Sequence, residues 1–260
     1  MRSISRVVGV SINTVTKLLV RAGEACAAYH NETVRNVEAR RIQCDEIWSF
    51  VYAKQKNVPK GMEDEAGTVW TWTAIDADTK LVPCWHVGSR NLEDATSFIS
   101  DLASRLSNRV QLTTDGYRPY LEAINSAFGN DIDYARLVKI YGAAPEQQRR
   151  YSPSEFVEAK RVPVTGDPDE NYISTSFVER QNLTMRMSMR RFTRLTNGFS
   201  KKLANHMHAI SLHYMYYNFG RVHGSLKTTP AIKAGVTEHV WSLEEIATLA
   251  DNCPITANSN

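Results

Sequence analysis

The segment RIQCDEIWSFVYAKQKN, Arg41 to Asn57, constrains this chain more than any other. Ile42, Cys44, Trp48, Phe50 and Tyr52 fall on alternate positions, the side-chain period of a β-strand. Asp45 and Glu46 stand side by side in its middle. Aspartate is a poor strand former, and a carboxylate near a core is costly unless something positive meets it. Whatever this strand folds into must therefore bring a cation to its centre.

The rest of the chain supplies partners for such a strand. TVWTWTAID (Thr68 to Asp76) and KLVPCWHVG (Lys80 to Gly88) read as two strands around a tight DADT turn, an antiparallel meander. Asn91 is placed to cap an amphipathic helix reaching Leu106, with Ala95, Phe98, Ile99, Leu102 and Leu106 on one face. RVQLTTDGY predicts a short strand ending at Asp115, PYLEAINSAF a helix, and DYARLVKIYG a fifth strand. From 143 to 173 the prolines and Gly166 break any period, which predicts an excursion with little regular structure. Helices are expected over Ser174–Arg194, about Lys201–Phe219 and Ser242–Leu249. The order β-β-β-α-β-α-β followed by helices suits an α/β fold, a mixed sheet with helices on both sides.

At the N-terminus, SISRVVGVSINTVTKLLVRAG has helix-turn-helix grammar: Ser3–Val8, a turn at Gly9, then Ile12–Ala22 capped by Ser11 and stopped by Gly23. Val15, Leu18 and Leu19 would face inward, leaving Asn13, Thr14 and Lys17 for a DNA groove and its phosphates. A connector helix, about Gly23–Asn36, would lead to the first strand. The pair lacks the preceding helix that usually closes a three-helix core, so it reads as truncated.

Length and composition bound the classes. With 260 residues there is enough chain for one substantial core and a small accessory unit. No apolar run approaches the ~20 residues that span a bilayer, and MRSISRVVGV lacks the features of a signal peptide, so no membrane role and a cytoplasmic location are expected. The four cysteines are scattered without a C-x-x-C pair, against a structural zinc site or a disulfide framework. His206 and His208 point to different helix faces and no cysteine lies close in sequence, so His206, His208 and His213 read as structural or as phosphate contacts rather than a zinc site. Net charge is only +3, but Arg180, Arg186, Arg190, Arg191, Arg194, Lys201 and Lys202 form a block without one acid. Nucleic acid is the first candidate for its partner, and a solvated helix face is the plain alternative.

Two further acids invite attention. Asp115 stands at the carboxyl end of a predicted strand, where ligands collect in open α/β sheets, though a helix-capping role suits it equally. Glu179 leads a helix whose apolar stripe is Val178, Met185, Met189 and Phe192, with Arg186 and Arg190 on an adjoining face. Its plain reading is a surface pairing with Arg186. If Asp45, Asp115 and Glu179 converge, they cannot all ionise without cations to neutralise them. Hard divalent ions suit such a site, Mg²⁺ or Mn²⁺, with two ions able to clamp a phosphodiester displacement.

DEIWSFVYAK, TTDGYRPY and VERQNLTMRMSMRRFTRLTNGFSKK together resemble DDE transposases of bacterial insertion sequences, closest to the insertion-sequence-one family. The resemblance implies a ribonuclease H-like core with a five-stranded mixed sheet flanked by helices. It implies metal-dependent cleavage at terminal inverted repeats and strand transfer of the freed 3′ ends into target DNA. Asp45, Asp115 and Glu179 match the catalytic, metal-binding triad, and Asn182, Arg186, Arg190 and Arg191 match positions expected on DNA, with Lys201 and Lys202 following. YNFGRVHGSLKTTPA resembles the ending of many integrase-like transposases, in which His223 has at most a minor part. The implied organisation is a partial helix-turn-helix and connector over 1–38, a catalytic domain over 39–227 with an insertion at about 143–173, and a helical tail over 228–260. A homo-oligomer on DNA is expected because two DNA ends must be held together. Sixty-three residues separate Asp115 from Glu179, more than is usual, and Glu146, Glu155 and Glu158 compete as third ligand. Glu179 is preferred because it alone precedes the R-x-N-L helix. The alternatives are a ribonuclease H-like nuclease or resolvase without strand transfer, and an inactive helix-turn-helix DNA-binding relic.

Overall fold

The computed structural model describes residues 1–63, 65–142, 156–193 and 197–252. Glu146, Glu155, Arg194 and Cys253 lie outside the described residues, as does the first part of the expected excursion.

β1 (Arg41–Val51) runs through the middle of a six-stranded sheet. The others are β2 (Gly67–Asp76), β3 (Trp85–Gly88), β4 (Gln111–Thr114), β5 (Asp133–Tyr141) and β6 (Phe156–Thr165), in spatial order β3-β2-β1-β4-β5-β6. β1–β2, β2–β3 and β5–β6 pair antiparallel, whereas β1–β4 and β4–β5 are parallel. The mixed sheet flanked by helices is compatible with a ribonuclease H-like core, with six strands in place of the five expected. The extra one, β6, falls within the 143–173 stretch for which little regular structure was expected. Prolines there misled: Pro163 sits beside a register shift on an outer strand, where a missing N–H is tolerated. The second meander strand is also shorter than its sequence suggests. Regular pairing begins at Trp85, just beyond Pro83, although Leu81 and Cys84 carbonyls still accept from Asp76 and Ala74 N–H groups.

Alternation along β1 tells half the story, because both faces of the strand are covered. Ile42 and Cys44 join Trp72 and Ala74 of β2 against α3 (Leu92–Arg105) and α4 (Pro119–Phe128), whose Phe98, Ile99, Leu102, Tyr120, Ala123 and Ile124 complete one core. Each fully buried side chain of this size contributes about 1.5–3 kcal/mol. Ile47 and Ile75 face the other way, onto Val178 and Met185 of α5 (Ser176–Ser188) and Ile210 and Tyr214 of α6 (Leu203–Met215). The polar residues on this second face have dedicated partners. Gln43 Oε1 accepts from the Phe177 and Val178 N–H groups (2.8 and 3.2 Å), holding the first turn of α5 against the sheet. Ser49 Oγ and His206 Nε2 lie 3.1 Å apart, so His206 is structural as expected.

α1 (Arg2–Val8) and α2 (Ile12–Thr33) do follow one another through a left-handed Gly9, and Ser11 caps α2 by accepting from Thr14 N–H. A helix-turn-helix is nonetheless not shown. α1 buries none of its residues, Leu18 is exposed, and α2 continues past Gly23 as one helix to Thr33. Gly23 is not a stop but a crossing point: a Cβ there would lie 2.6 Å from His208 Cα of α6. The tail helix α8 (Leu243–Asn252) also packs on this layer, with Ile246 in the same core cluster as Cys26 of α2. α7 (Pro230–Lys233) is a single turn capped by Thr229. α5 stops at Ser188, earlier than Arg194, so Arg190 lies in a separate turn rather than on the Glu179–Arg186 face. Among the described residues no helix is long and apolar enough to cross a membrane.

Candidate metal-binding and catalytic site

The site arises where the sheet splits. The parallel β1–β4 ladder ends at the pair Cys44–Thr114, after which β4 leaves the sheet while β1 continues to Val51. Asp115, the residue that follows β4, emerges at the level of Asp45. This is the crevice beyond strand carboxyl ends in which open α/β sheets place ligands. Asp115 Oδ1 accepts from Tyr117 N–H at 2.9 Å, which fixes the turn into α4.

Asp45 and Glu46 leave β1 on opposite faces, yet both reach this gap. Asp45 is on the α5 side, where its Oδ2 accepts from Asn182 Nδ2 at 2.8 Å. Glu46 is on the α4 side, where Oε2 accepts from Tyr120 OH at 3.1 Å and Oε1 from Arg90 Nε at 2.5 Å. One carboxylate oxygen from each of Asp45, Glu46 and Asp115 lies within 4.8 Å of the others. Glu46 is thus a member of the cluster that the sequence reading left out. Its adjacency to Asp45 on the strand was the signal available.

Glu179, in the first turn of α5, lines the same cleft of about 800 Å³. Its carboxylate is outside the tight trio: Oε1 accepts from Lys139 Nζ of β5 and from Thr175 Oγ1. Asn182 and Arg186, one and two turns further along α5, also line the cleft, with Arg90, Tyr117 and Lys139. The remaining basic and polar candidates do not line it. Asn13, Lys17, Arg190 and Lys202 are exposed elsewhere, and Thr14 is tied to Ser11. Lys201 lies over the ring of Phe199, 4.3 Å from its centroid. Arg191 turns inward, its Nη1 donating to Ser200 Oγ at 2.6 Å, because the turn after α5 folds back onto the sheet. His223 faces a different cavity behind α5, its Nε2 3.3 Å from the Tyr217 carbonyl. Glu158 is on β6, outside the cleft lining.

Burial, reinforced by the charges of Glu46 and Asp115, raises the Asp45 carboxyl to about 7. Burial and Asp115 also raise Glu46, with Arg90 and Tyr120 offsetting part of the effect. Two protein cations serve the cluster. Arg90 hydrogen-bonds Glu46, reaches within 3.7 Å of Asp115 Oδ2, and stacks 4.0 Å over the Tyr117 ring. Lys139 neutralises Glu179. Even so, Asp45 has no cationic partner of its own among the described residues to offset its burial. The donor set is all oxygen, with no histidine or cysteine in the lining, and fits a hard divalent cation.

No protein-family model matches the chain. No curated protein matches it either. Among solved structures it is similar to a piggyBac transposase in a synaptic complex with hairpin DNA, at 10% identity and a TM-score of 0.36. The match covers 86% of this chain and 53% of that one, so the chain spans about half the length of its structural neighbour.

Proposed function

We propose that this chain is a DDE-type DNA transposase that cuts at the ends of its element and joins the freed 3′ ends to target DNA. One observation carries the reading: Asp45, Glu46 and Asp115, distant or divergent in the chain, meet at the split of β1 and β4 in a cleft that Glu179 also lines. The motif resemblance adds the reaction class. Mg²⁺ or Mn²⁺ would be held by Asp45 and Asp115, with Glu179 completing the set once released from Lys139. Two such ions, when bound, supply the Lewis acidity for phosphodiester displacement.

The chain's own groups then divide the remaining work. Asn182 orients Asp45 by its hydrogen bond and thereby holds one carboxylate oxygen toward the trio. Arg186 and Lys139, on either side of the cleft, attract the phosphate backbone. The exposed Arg190, Lys201 and Lys202 extend that field outward, and Asn13, Thr14 and Lys17 offer a second, weaker contact through α2. Arg191 supports the turn after α5 instead. A homo-oligomer assembled on DNA would hold two ends together.

The test uses the purified chain, Mg²⁺ or Mn²⁺, and a duplex bearing the terminal repeat that flanks its gene. Given a pre-cut 3′ end and a target plasmid, the wild type is expected to yield joined product. Asp45→Asn, Asp115→Asn and Glu179→Gln should each reduce joining by at least about a hundredfold, about 2.7 kcal/mol of transition-state stabilisation, with circular dichroism unchanged. Cleavage without joining would replace transposase by nuclease. Full activity in the Glu179 variant would remove that residue from the site.

A further inference from the structure

β6 ends the described sheet. β5 covers one of its edges, and no described residue covers the other. β4 pairs with β5 only over Asp133–Arg136, so from Leu137 to Tyr141 the ribbon is two strands thick and β6 is its outer member. Along β6, residues 156–164 are all exposed, with Phe156 at 58% and Val157 at 62%. A two-stranded ribbon is marginal in water, and an exposed edge of this length is a template for pairing.

We propose that β6 pairs antiparallel with β6 of a second copy of this chain, about a two-fold axis through Ala159. The sequence FVEAKRV selects that register. Opposed residues in an antiparallel pair must point to the same face, so across a two-fold axis normal to the sheet only same-parity residues can be opposed. An axis at Glu158, Lys160 or Arg161 would set like charges against each other. An axis at Ala159 sets Glu158 against Lys160 of the second copy, and Lys160 against its Glu158. It also places Phe156 against Val162, covering exposed apolar surface at both ends of the pairing. Neither Glu158 nor Lys160 has an ion-pair partner among the described residues. Pro163, which lacks an N–H, lies just outside the paired span. The inference concerns assembly alone and does not rest on the proposed chemistry.

Light scattering on the full chain without DNA or metal tests it. The wild type is expected to be a dimer at tens of micromolar. Glu158→Lys alone and Lys160→Glu alone each replace two opposite-charge pairs by two like-charge pairs, and should weaken dimerisation roughly thirtyfold. The double variant restores both pairs in swapped form and should dimerise like the wild type. An equimolar mixture of the two single variants should form a heterodimer. Ala159→Cys, in a Cys253→Ser background, should cross-link to itself on oxidation, because directly opposed residues lie within disulfide reach. Val157→Cys in the same background should not. A monomeric wild type, single variants that dimerise undiminished, or a double variant that stays monomeric would each overturn the proposal. Circular dichroism establishes that the variants are folded.

Discussion

Replacing Arg90 by Gln separates two roles that the geometry allows for this residue. Arg90 is bonded to Glu46, whose side chain is 1% exposed, and stands 3.7 Å from Asp115 Oδ2. Removing one partner of a buried ion pair costs about 3–5 kcal/mol, because the other charge stays behind uncompensated. Arg90 itself is 36% exposed, so solvent screens part of its charge and about 2–3 kcal/mol is the better expectation. In a chain of this size that lowers the metal-free melting temperature by roughly 5–10 °C. Divalent cations should show the opposite effect. Arg90 is a fixed positive charge competing for the same carboxylates, and a unit charge about 4 Å away at an effective dielectric of 20 is a large term, about 4 kcal/mol before solvation offsets it. Retaining even a third of that raises Mn²⁺ affinity about tenfold. Differential scanning fluorimetry with and without Mn²⁺, followed by calorimetric titration, reads both quantities. A variant that melts lower yet binds Mn²⁺ more weakly would refute the argument, since Arg90 would then be arranging the acids rather than competing with the ion.

Further outcomes follow from the same geometry. The Asp45 carboxyl, raised to about 7 from 3.8, keeps its proton in the folded state over a range where the unfolded chain has lost it. Stability of the metal-free protein should therefore fall as pH rises from about 4 to about 7, by about 4 kcal/mol from this group. Urea unfolding across that range measures it, and Asp45→Asn should flatten the slope. A cation must displace the same proton, so Mn²⁺ affinity should drop as pH falls below 7, and a pH-independent affinity would show that Asp45 is not a ligand. Gly23→Ala should destabilise by about 1–3 kcal/mol, because the new methyl meets His208 where α2 and α6 cross. Thermal melting that matches the wild type would show that the two helices separate freely.

What local chemistry dictates was legible in the residues. The strand period of β1, the Asn91 cap with its 2.8 Å bond to Asp94 N–H, and the bounds of α4 are set by neighbours in sequence. So was the expectation that two acids within a strand demand a positive partner. Features that depend on packing were not legible. Gly23 reads as a terminator because glycine ends isolated helices, but here it admits α6 at close range and the helix runs on. The proline-bearing stretch before Asp167 reads as irregular because its strand pairs on one side only, and β5 supplies the missing hydrogen bonds.

Asp45 and Glu46 on β1, Asp115 at the carboxyl end of a short strand and Glu179 at the head of a basic helix were all readable from residue order. Which of these acids meet depends on packing between elements distant in the chain. Strand neighbours diverge by rule, so no periodicity places Glu46 beside Asp45 and Asp115. They converge because β4 departs after Thr114 and opens a gap that side chains from both faces of β1 can enter. The identity of the nearest cations, Arg90 and Lys139, is likewise a tertiary fact: they come from the loop after β3 and from β5, 44 and 40 residues away in sequence from the acids they serve.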